Sequence, residues 1–187
     1  MGTRHLTVVY MDGKYRVAQY GQWDGYPEGQ GMNVLKFLEE EFVEHKFRKN
    51  LLRLRMVETK EGRDALETLY KDRWPAEFNR DTGSEILKMI QDGKVKSGFL
   101  VNSINFASQG DCEWVWLIDL DNRTFEAYKG WNTTPLTEFD RFYFLGNYQD
   151  GEYCSAKCVQ KWLLKDLPSE KDFIQAFEED EEEDEDE

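Results

Sequence analysis

The pattern of hydrophobic and polar positions predicts strands at the start of the chain, helices in its middle, strands again and helices last. Residues 3–10 are rich in β-branched and aromatic side chains, and residues 15–20 continue in the same way. Asp12-Gly13 lies between them and has the composition of a tight hairpin turn. The chain is therefore expected to open with an antiparallel hairpin.

Three helices are predicted in the middle of the chain. Apolar residues recur at helical spacing over residues 34–51, with a break expected near Asn50. Residues 63–72 predict a short second helix, which ends before Pro75.

The third helix has the clearest boundaries. Thr82 and Glu85 have the spacing of a capping box, in which two side chains satisfy free N–H groups at a helix start. Gly93 is the expected end of this helix.

A second hairpin is predicted from residues 113–120 and 124–128, joined by the turn pair Asp121-Asn122. Apolar side chains fall on both faces of the first of these strands, which is typical of a central strand. Residues 141–145 predict a short edge strand.

The last part of the domain predicts two helices, over residues 154–164 and 169–177, separated by Pro168. This order of elements indicates an α+β fold, with an antiparallel sheet from two hairpins and helices packed against it. We expect one domain over residues 1–177.

The formal net charge of −14 lies mostly in the unbroken acidic run of residues 178–187. Adjacent carboxylates repel one another and bury nothing, so this run predicts a disordered tail. A solubility role and a dock for a basic protein partner are both open. Duplex nucleic acid is not an expected partner, because binding phosphates needs a basic face.

The remaining composition indicates a soluble, intracellular protein. The chain has 187 residues, of which 40% are hydrophobic, so it can bury a core. No window approaches the length of a membrane span, and no apolar signal peptide opens the chain. Three cysteines do not make a disulfide framework. We expect a cytoplasmic protein, with the nucleus as an alternative, and no membrane partner.

The loop over residues 19–31 is the strongest candidate for a site. It concentrates amides, acids, large aromatic side chains and glycines between a strand and a helix. A loop this long is more often a binding wall than a spacer. Free N–H groups at the following helix start would suit a carboxylate or phosphate. Neither a phosphate loop nor a dinucleotide fingerprint is complete here.

The favoured hypothesis is a binding module for a small polar or anionic ligand. In this hypothesis aromatic rings stack on the ligand, amides and backbone bond to it, and positive charge attracts it. The expected ligand-binding residues are Arg4, Gln19, Gln22, Trp23, Tyr26, Gly29, Gln30, Gly31, Arg80 and Asp81. No cofactor and no metal site are expected.

The alternative is a hydrolase that uses the same pocket, with His5 and Asp24 in acid–base roles. A weaker form is an N-terminal-nucleophile enzyme using Thr3, which would need residues 1 and 2 to be removed. Asp24 and Glu28 beside aromatic rings would suit a glycosidase, although their spacing proves no geometry. A third class is a protein-interaction factor acting through the acidic tail.

Two runs resemble a family of uncharacterised proteins from phages, bacteria and fungi. The first comprises residues 2–6, 15–27 and 29–31, and the second includes Glu113-Trp114 and residues 118–130. The resemblance implies a shared fold over most of residues 2–130 and implies no activity.

Two further groups are interpreted as core. Cys112, Cys154 and Cys158 have no standard zinc spacing, although the last two would share one face of the predicted helix. The aromatic residues of the second hairpin could stack bases, but a buried hairpin core accounts for them better.

Overall fold

The computed structural model describes residues 2–71, 73–146 and 153–183. Its strands are β1 (His5–Met11), β2 (Lys14–Gly21), β3 (Arg55–Val57), β4 (Phe99–Val101), β5 (Trp114–Asp119), β6 (Thr124–Lys129) and β7 (Lys157–Leu163). Five of them form one sheet in the order β2-β1-β5-β6-β7, and β3 pairs with β4 in a small parallel sheet. The fold is therefore mixed α and β.

Both predicted hairpins are confirmed. β1 and β2 are antiparallel, and Asp12 and Gly13 between them both have positive φ, of 53° and 70°. Such a two-residue turn matches the twist of the strands that it joins. β5 and β6 form the second hairpin, and β5 is the central strand of the sheet.

The expectation of a wholly antiparallel sheet is wrong, because β1 and β5 are parallel neighbours. Their register places His5 beside Trp114 and Thr7 beside Trp116. A parallel pair needs a long crossover connection. The whole segment between β2 and β5, with its helices and the small sheet, forms that connection.

The described residues contain five α-helices. They are α1 (Met32–Lys36), α2 (Glu44–Leu51), α3 (Lys60–Tyr70), α4 (Glu85–Gln91) and α5 (Glu170–Glu183). π-helical turns Pro27–Gly31 and Phe37–Glu41 flank α1. Short 3-10 turns cover Ala76–Phe78, Ile104–Ser108 and Tyr143–Leu145.

The first predicted helix breaks at Phe42 and Val43 rather than near Asn50, since both residues have extended backbone. The side-chain oxygen of Gln91 accepts the Val43 N–H at 2.7 Å, and its nitrogen donates to the Glu41 carbonyl. A distant side chain therefore satisfies the backbone groups that the break leaves open. The periodicity continues across it, so the pattern does not show the break.

α3 and α4 confirm the other two central helices. α3 begins and ends slightly earlier than predicted, and Asp72 lies outside the described residues. α4 lacks the predicted capping box, because the Thr82 hydroxyl donates to the Ala76 carbonyl instead. Gly93 ends α4 as predicted, with a positive φ of 67°.

Two predictions near the C-terminus are wrong. Residues 157–163 form β7, antiparallel to β6, where a helix was expected. Val159 and Trp162 pack against the core from this strand, and pairing with β6 outweighs the helix-like spacing. Residues 143–145 form a 3-10 turn rather than an edge strand.

The last helix confirms the prediction for residues 169–177 and extends further. α5 continues to Glu183, so the predicted tail begins inside this helix. Residues 184–187 lie outside the described part of the chain, and the disorder of the tail stays a prediction.

The central sheet is buried on both faces. One face carries Trp116 and Ile118 and packs against apolar residues of α1, α2, α4 and α5. The opposite face carries Val115 and Leu117 and packs under Ile104, Ala107 and Phe142. This arrangement explains why apolar residues fall on both faces of β5.

Candidate functional site

The segment predicted as a loop over residues 19–31, which we name the glycine-rich loop, begins in β2 and ends in the π-helical turn Pro27–Gly31. It lies directly on buried side chains of the sheet. A Cβ atom at Gly31 would lie 2.6 Å from the Trp116 ring, and one at Gly21 would overlap the His5 imidazole. The Trp116 indole N–H donates to the Gly25 carbonyl at 2.8 Å. These glycines let the backbone approach the rings closely. Packing therefore accounts for them without a ligand.

His5 is fully buried beneath this loop. Neither of its ring nitrogens has a hydrogen-bond partner among the described residues, and the same holds for the Thr7 hydroxyl. Burial lowers the pKa of His5 from 6.5 to about 4, and the backbone of Thr3 offsets only part of this effect. The imidazole is therefore neutral at pH 7.

The hydrolase hypothesis pairs His5 with Asp24. Among the described residues no hydrogen bond joins the two side chains, and Asp24 lies exposed on the loop. The Asp24 carboxylate instead accepts a bond of 3.4 Å from the Tyr26 hydroxyl. The Thr3 carbonyl accepts the Gly25 N–H at 3.0 Å and fixes the loop to the start of β1.

The backbone N–H groups at the predicted anion site are already bonded within the loop. Those of Gly29 and Gly31 donate to the Tyr26 carbonyl, at 3.1 and 3.4 Å. That of Gln30 donates to the Asp24 carbonyl at 2.7 Å. The first turn of this helix therefore offers no free donors of these three residues to a carboxylate or phosphate.

Most of the predicted ligand-binding side chains of the loop bond to residues 79–84. The Trp23 indole donates to Asp81 at 2.8 Å, and the Gln30 side-chain oxygen accepts from the Ser84 N–H and hydroxyl. The Gln22 N–H donates to the Arg80 carbonyl at 3.0 Å. Trp23 and Tyr26 are about half exposed, at 46% and 40%.

Arg4 is held at the start of β1. Its guanidinium pairs with Asp111 at 2.7 Å, and its backbone N–H donates to the Glu113 carboxylate at 3.0 Å. Its positive charge is therefore already used within the protein.

Gln19 and Arg80 line a cavity of about 470 Å³ beside α3, which we name the α3 cavity. It lies between β2, α3 and the 3-10 turns at residues 76–78 and 104–108. Its aromatic lining comes from Tyr20, Trp74, Phe78 and Phe106, and its polar and charged lining from Gln19, Arg63, Glu67, Glu77, Arg80, Ser103, Asn105 and Gln109. The remaining predicted site residues lie outside this lining.

The aromatic wall of the α3 cavity is held by ring contacts and one hydrogen bond. Trp74 and Phe78 have ring centroids 5.1 Å apart, and the Trp74 indole donates to the Phe78 carbonyl at 3.0 Å. Tyr20 and Phe106 meet edge to face at 4.9 Å. Rings placed in this way form an apolar surface of fixed shape.

A second cluster of charged residues lies at the other end of the sheet, around Arg141. Its guanidinium donates to the carboxylates of Asp119 and Glu126 and to the Tyr128 hydroxyl, and it lies over the Tyr10 ring at 5.0 Å. Glu126 also pairs with Lys161 at 2.8 Å. We call this set the Arg141 cluster.

Hydrogen bonds lower the pKa values of the two carboxylates in the Arg141 cluster despite their burial. Burial alone would raise the pKa of Asp119, but bonds from Asn122 and Arg141 outweigh it and lower that pKa. Bonds from Lys161, Tyr128 and Thr124 likewise lower the pKa of Glu126 against the effect of burial. Burial and the Glu126 charge raise the pKa of the Tyr128 hydroxyl. Both carboxylates are therefore ionised at pH 7.

The Arg141 cluster borders a cavity of about 660 Å³, larger than the α3 cavity. Its buried carboxylates are already matched by two cations, so they require no group from a ligand. A cluster satisfied in this way is typical of a structural ion network. The α3 cavity differs, because its charged groups are not paired with one another.

No metal site or membrane span emerges from the described part of the chain. No three His, Cys, Asp or Glu residues are grouped there so that they could hold a metal ion. None of its helices is both long and apolar enough to cross a membrane. Burial raises the pKa of the Cys112 thiol, which lies in the core.

No protein-family model, curated protein or solved structure matches the chain. Similarity to known proteins therefore gives no indication of its function.

Sequence reasoning missed Glu77, Trp74 and the Arg141 cluster. The α3 cavity unites residues 19–20, 63–80 and 101–109, which lie far apart in sequence. Residues 63–80 carried no motif, and only burial in the folded chain distinguishes Glu77 from the many exposed acids.

Proposed function

We propose that this protein is a binding module for a small polar ligand with an anionic group, and that the ligand occupies the α3 cavity. The observation that carries the proposal is the convergence of Gln19, Arg63 and Arg80 with an aromatic wall in one cavity of about 470 Å³. Ligand pockets combine apolar walls with a few placed polar groups in this way.

The two guanidinium groups supply the anion recognition. Arg80 is exposed and forms no ion pair among the described residues. Arg63 donates to the Asn102 carbonyl and likewise has no carboxylate partner in the described part of the chain. A guanidinium offers up to five donors in a planar array that suits carboxylate and phosphate. The donors of Arg80, and those of Arg63 that do not bond to Asn102, remain for a ligand.

The glycine-rich loop supports this site from behind. Gln22 and Trp23 bond to Arg80 and Asp81, and Gln30 bonds to Ser84. The loop thus positions the segment that carries Arg80. This role accounts for a costly loop whose own polar groups are already bonded.

The test measures the affinity of the full chain for 3-phenylpropanoate, an aromatic carboxylate of suitable size. Tryptophan fluorescence and NMR both report the binding. We expect Arg80→Gln to weaken binding about tenfold, because one charge-assisted contact is lost. Arg53→Gln, which removes an exposed arginine elsewhere, is the matched control and should leave the affinity unchanged.

A second pair of variants locates the site. Trp74→Ala should weaken binding because Trp74 lines the α3 cavity, whereas Tyr26→Ala, on the exposed side of the loop and outside the lining, should have little effect. The reverse result would move the site to the outer surface of the loop. Absence of binding by the wild-type protein at millimolar probe would refute binding of this ligand class.

A further inference from the structure

The lining of the α3 cavity includes a buried carboxylate. Glu77 is only 3% exposed and lines the cavity. One of its oxygens accepts the Ser97 N–H at 2.8 Å. Glu77 pairs with no lysine or arginine among the described residues, although buried acids are usually paired. Within the described part of the chain this carboxylate therefore lacks a cationic partner.

Gln19 adds a second hydrogen-bond acceptor to the same lining. Its side chain is 6% exposed, and its nitrogen donates to the carbonyls of Tyr20 and Asn79 at 3.3 and 3.1 Å. Those two acceptors fix the orientation of the amide, since only its nitrogen can donate. Its oxygen has no donor among the described residues. The cavity lining thus offers the Glu77 carboxylate and the Gln19 side-chain oxygen as buried acceptors.

The polar groups of the cavity fall into two sets that differ in burial. The buried side chains Glu77 and Gln19 offer acceptors, whereas Arg63 and Arg80 are exposed and offer donors. Aromatic rings share the same lining. A ligand that satisfies both sets of polar groups needs a donor-bearing cation and an anion.

We infer that the ligand of the α3 cavity is a small zwitterion, with an ammonium or amidinium group bound by Glu77 and Gln19 and an acidic group bound by Arg63 and Arg80. This inference rests on the proposed function and specifies its ligand class. Glu126 provides the contrast, because Arg141 and Lys161 already neutralise that buried acid.

The experiment compares three probes of one size by calorimetry on the full chain. They are L-phenylalanine, which carries both charges, phenethylamine, which carries only the cation, and 3-phenylpropanoate, which carries only the anion. We expect L-phenylalanine to bind at least about tenfold more tightly than either singly charged probe. This ranking on the wild-type protein needs no variant.

Two variants assign the cation to Glu77. Glu77→Gln keeps an acceptor for the Ser97 N–H and removes the charge. It should weaken L-phenylalanine and phenethylamine binding about tenfold and leave 3-phenylpropanoate unchanged or tighter. Glu67→Gln is the matched control, since Glu67 lines the same cavity but is exposed, and it should have a smaller effect.

The outcomes distinguish failure of the zwitterion inference from failure of the proposed function. If 3-phenylpropanoate binds through Arg80 and L-phenylalanine binds no better, the anion site stands and the zwitterion inference is wrong. The inference also fails if folded Glu77→Gln protein binds all three probes as the wild type does. If no probe binds, both proposals fail.

Discussion

At the residue scale, His5 is a buried titratable group whose ring nitrogens have no hydrogen-bond partner among the described residues. Its imidazole is enclosed by the sheet and the glycine-rich loop, where a proton would add an unpaired charge. The folded protein therefore resists protonation of this ring, and the unfolded chain does not.

This asymmetry predicts that acid destabilises the fold before the carboxylates titrate. The pKa of His5 is about 4 in the folded state and 6.5 when unperturbed, so the unfolded state takes up the proton first. Stability is complete above pH 6.5 and falls as the pH drops toward 4, by about 3 kcal/mol. Urea unfolding at pH 7, 6, 5 and 4 measures this loss.

His5→Phe keeps a ring of similar size and should remove this part of the pH dependence. The exposed His45 is the only other histidine, so His45→Gln is the matched control and should behave like the wild type. A His5→Phe protein with the full wild-type slope between pH 6.5 and 4 would show that the imidazole is not the responsible group.

At the scale of elements, the loop and the central strand form one packed unit. Gly31 has helical backbone, so alanine would suit its conformation. Its Cβ atom, however, would lie 2.6 Å from the buried Trp116 ring, which cannot move easily.

We therefore expect Gly31→Ala to reduce the free energy of unfolding by about 1–3 kcal/mol, as overpacking does. Gly110→Ala is the control, because its nearest neighbour would be an ordinary 3.5 Å from the new Cβ atom. Chemical denaturation of both variants gives the comparison. Equal stability of the two would mean that the loop is not locked on Trp116.

Local signals explain which elements could be predicted from the sequence. The turn at Asp12-Gly13 and the helix end at Gly93 depend on the backbone preferences of neighbouring residues, and both are confirmed. β7 and the parallel pairing of β1 with β5 depend on contacts between distant segments. Hydrophobic periodicity carries no information on such pairing.

The candidate site likewise combines residues that local sequence patterns indicate with residues that only long-range contacts bring together. Of the side chains predicted to bind a ligand, Gln19 and Arg80 line one cavity. Gly21 and Gly31, however, face buried rings, and Gly29 faces the backbone of Asp24. The buried acid of the cavity, Glu77, is distinguished from the other acids only by its burial in the folded chain.

At the scale of the whole molecule, the two faces of the sheet are held by different forces. On one face Phe173 and Phe177 of α5 complete an aromatic cluster around Trp116, so apolar burial fixes the C-terminal helix. On the other face Arg141 joins β5 and β6 to the segment that follows them, through buried charges. Only the second of these depends on protonation.

Arg141→Met should therefore destabilise the protein by about 3 kcal/mol at pH 7, because Asp119 would lose its cationic partner inside the fold. Asp119 and Glu126 ordinarily titrate at 3.8 and 4.5, and their pKa values are lowered in the folded wild type. Their stabilising effect is present above those ordinary values and disappears as the pH falls through the lowered ones. The difference between variant and wild type should thus be largest above pH 5 and shrink toward pH 4, where the variant's carboxylates protonate. His5 makes the same contribution to the pH dependence of stability in both proteins, so the difference between paired urea titrations reports on the carboxylates alone. A difference that stays constant with pH would assign the role of Arg141 to packing on Tyr10 rather than to charge.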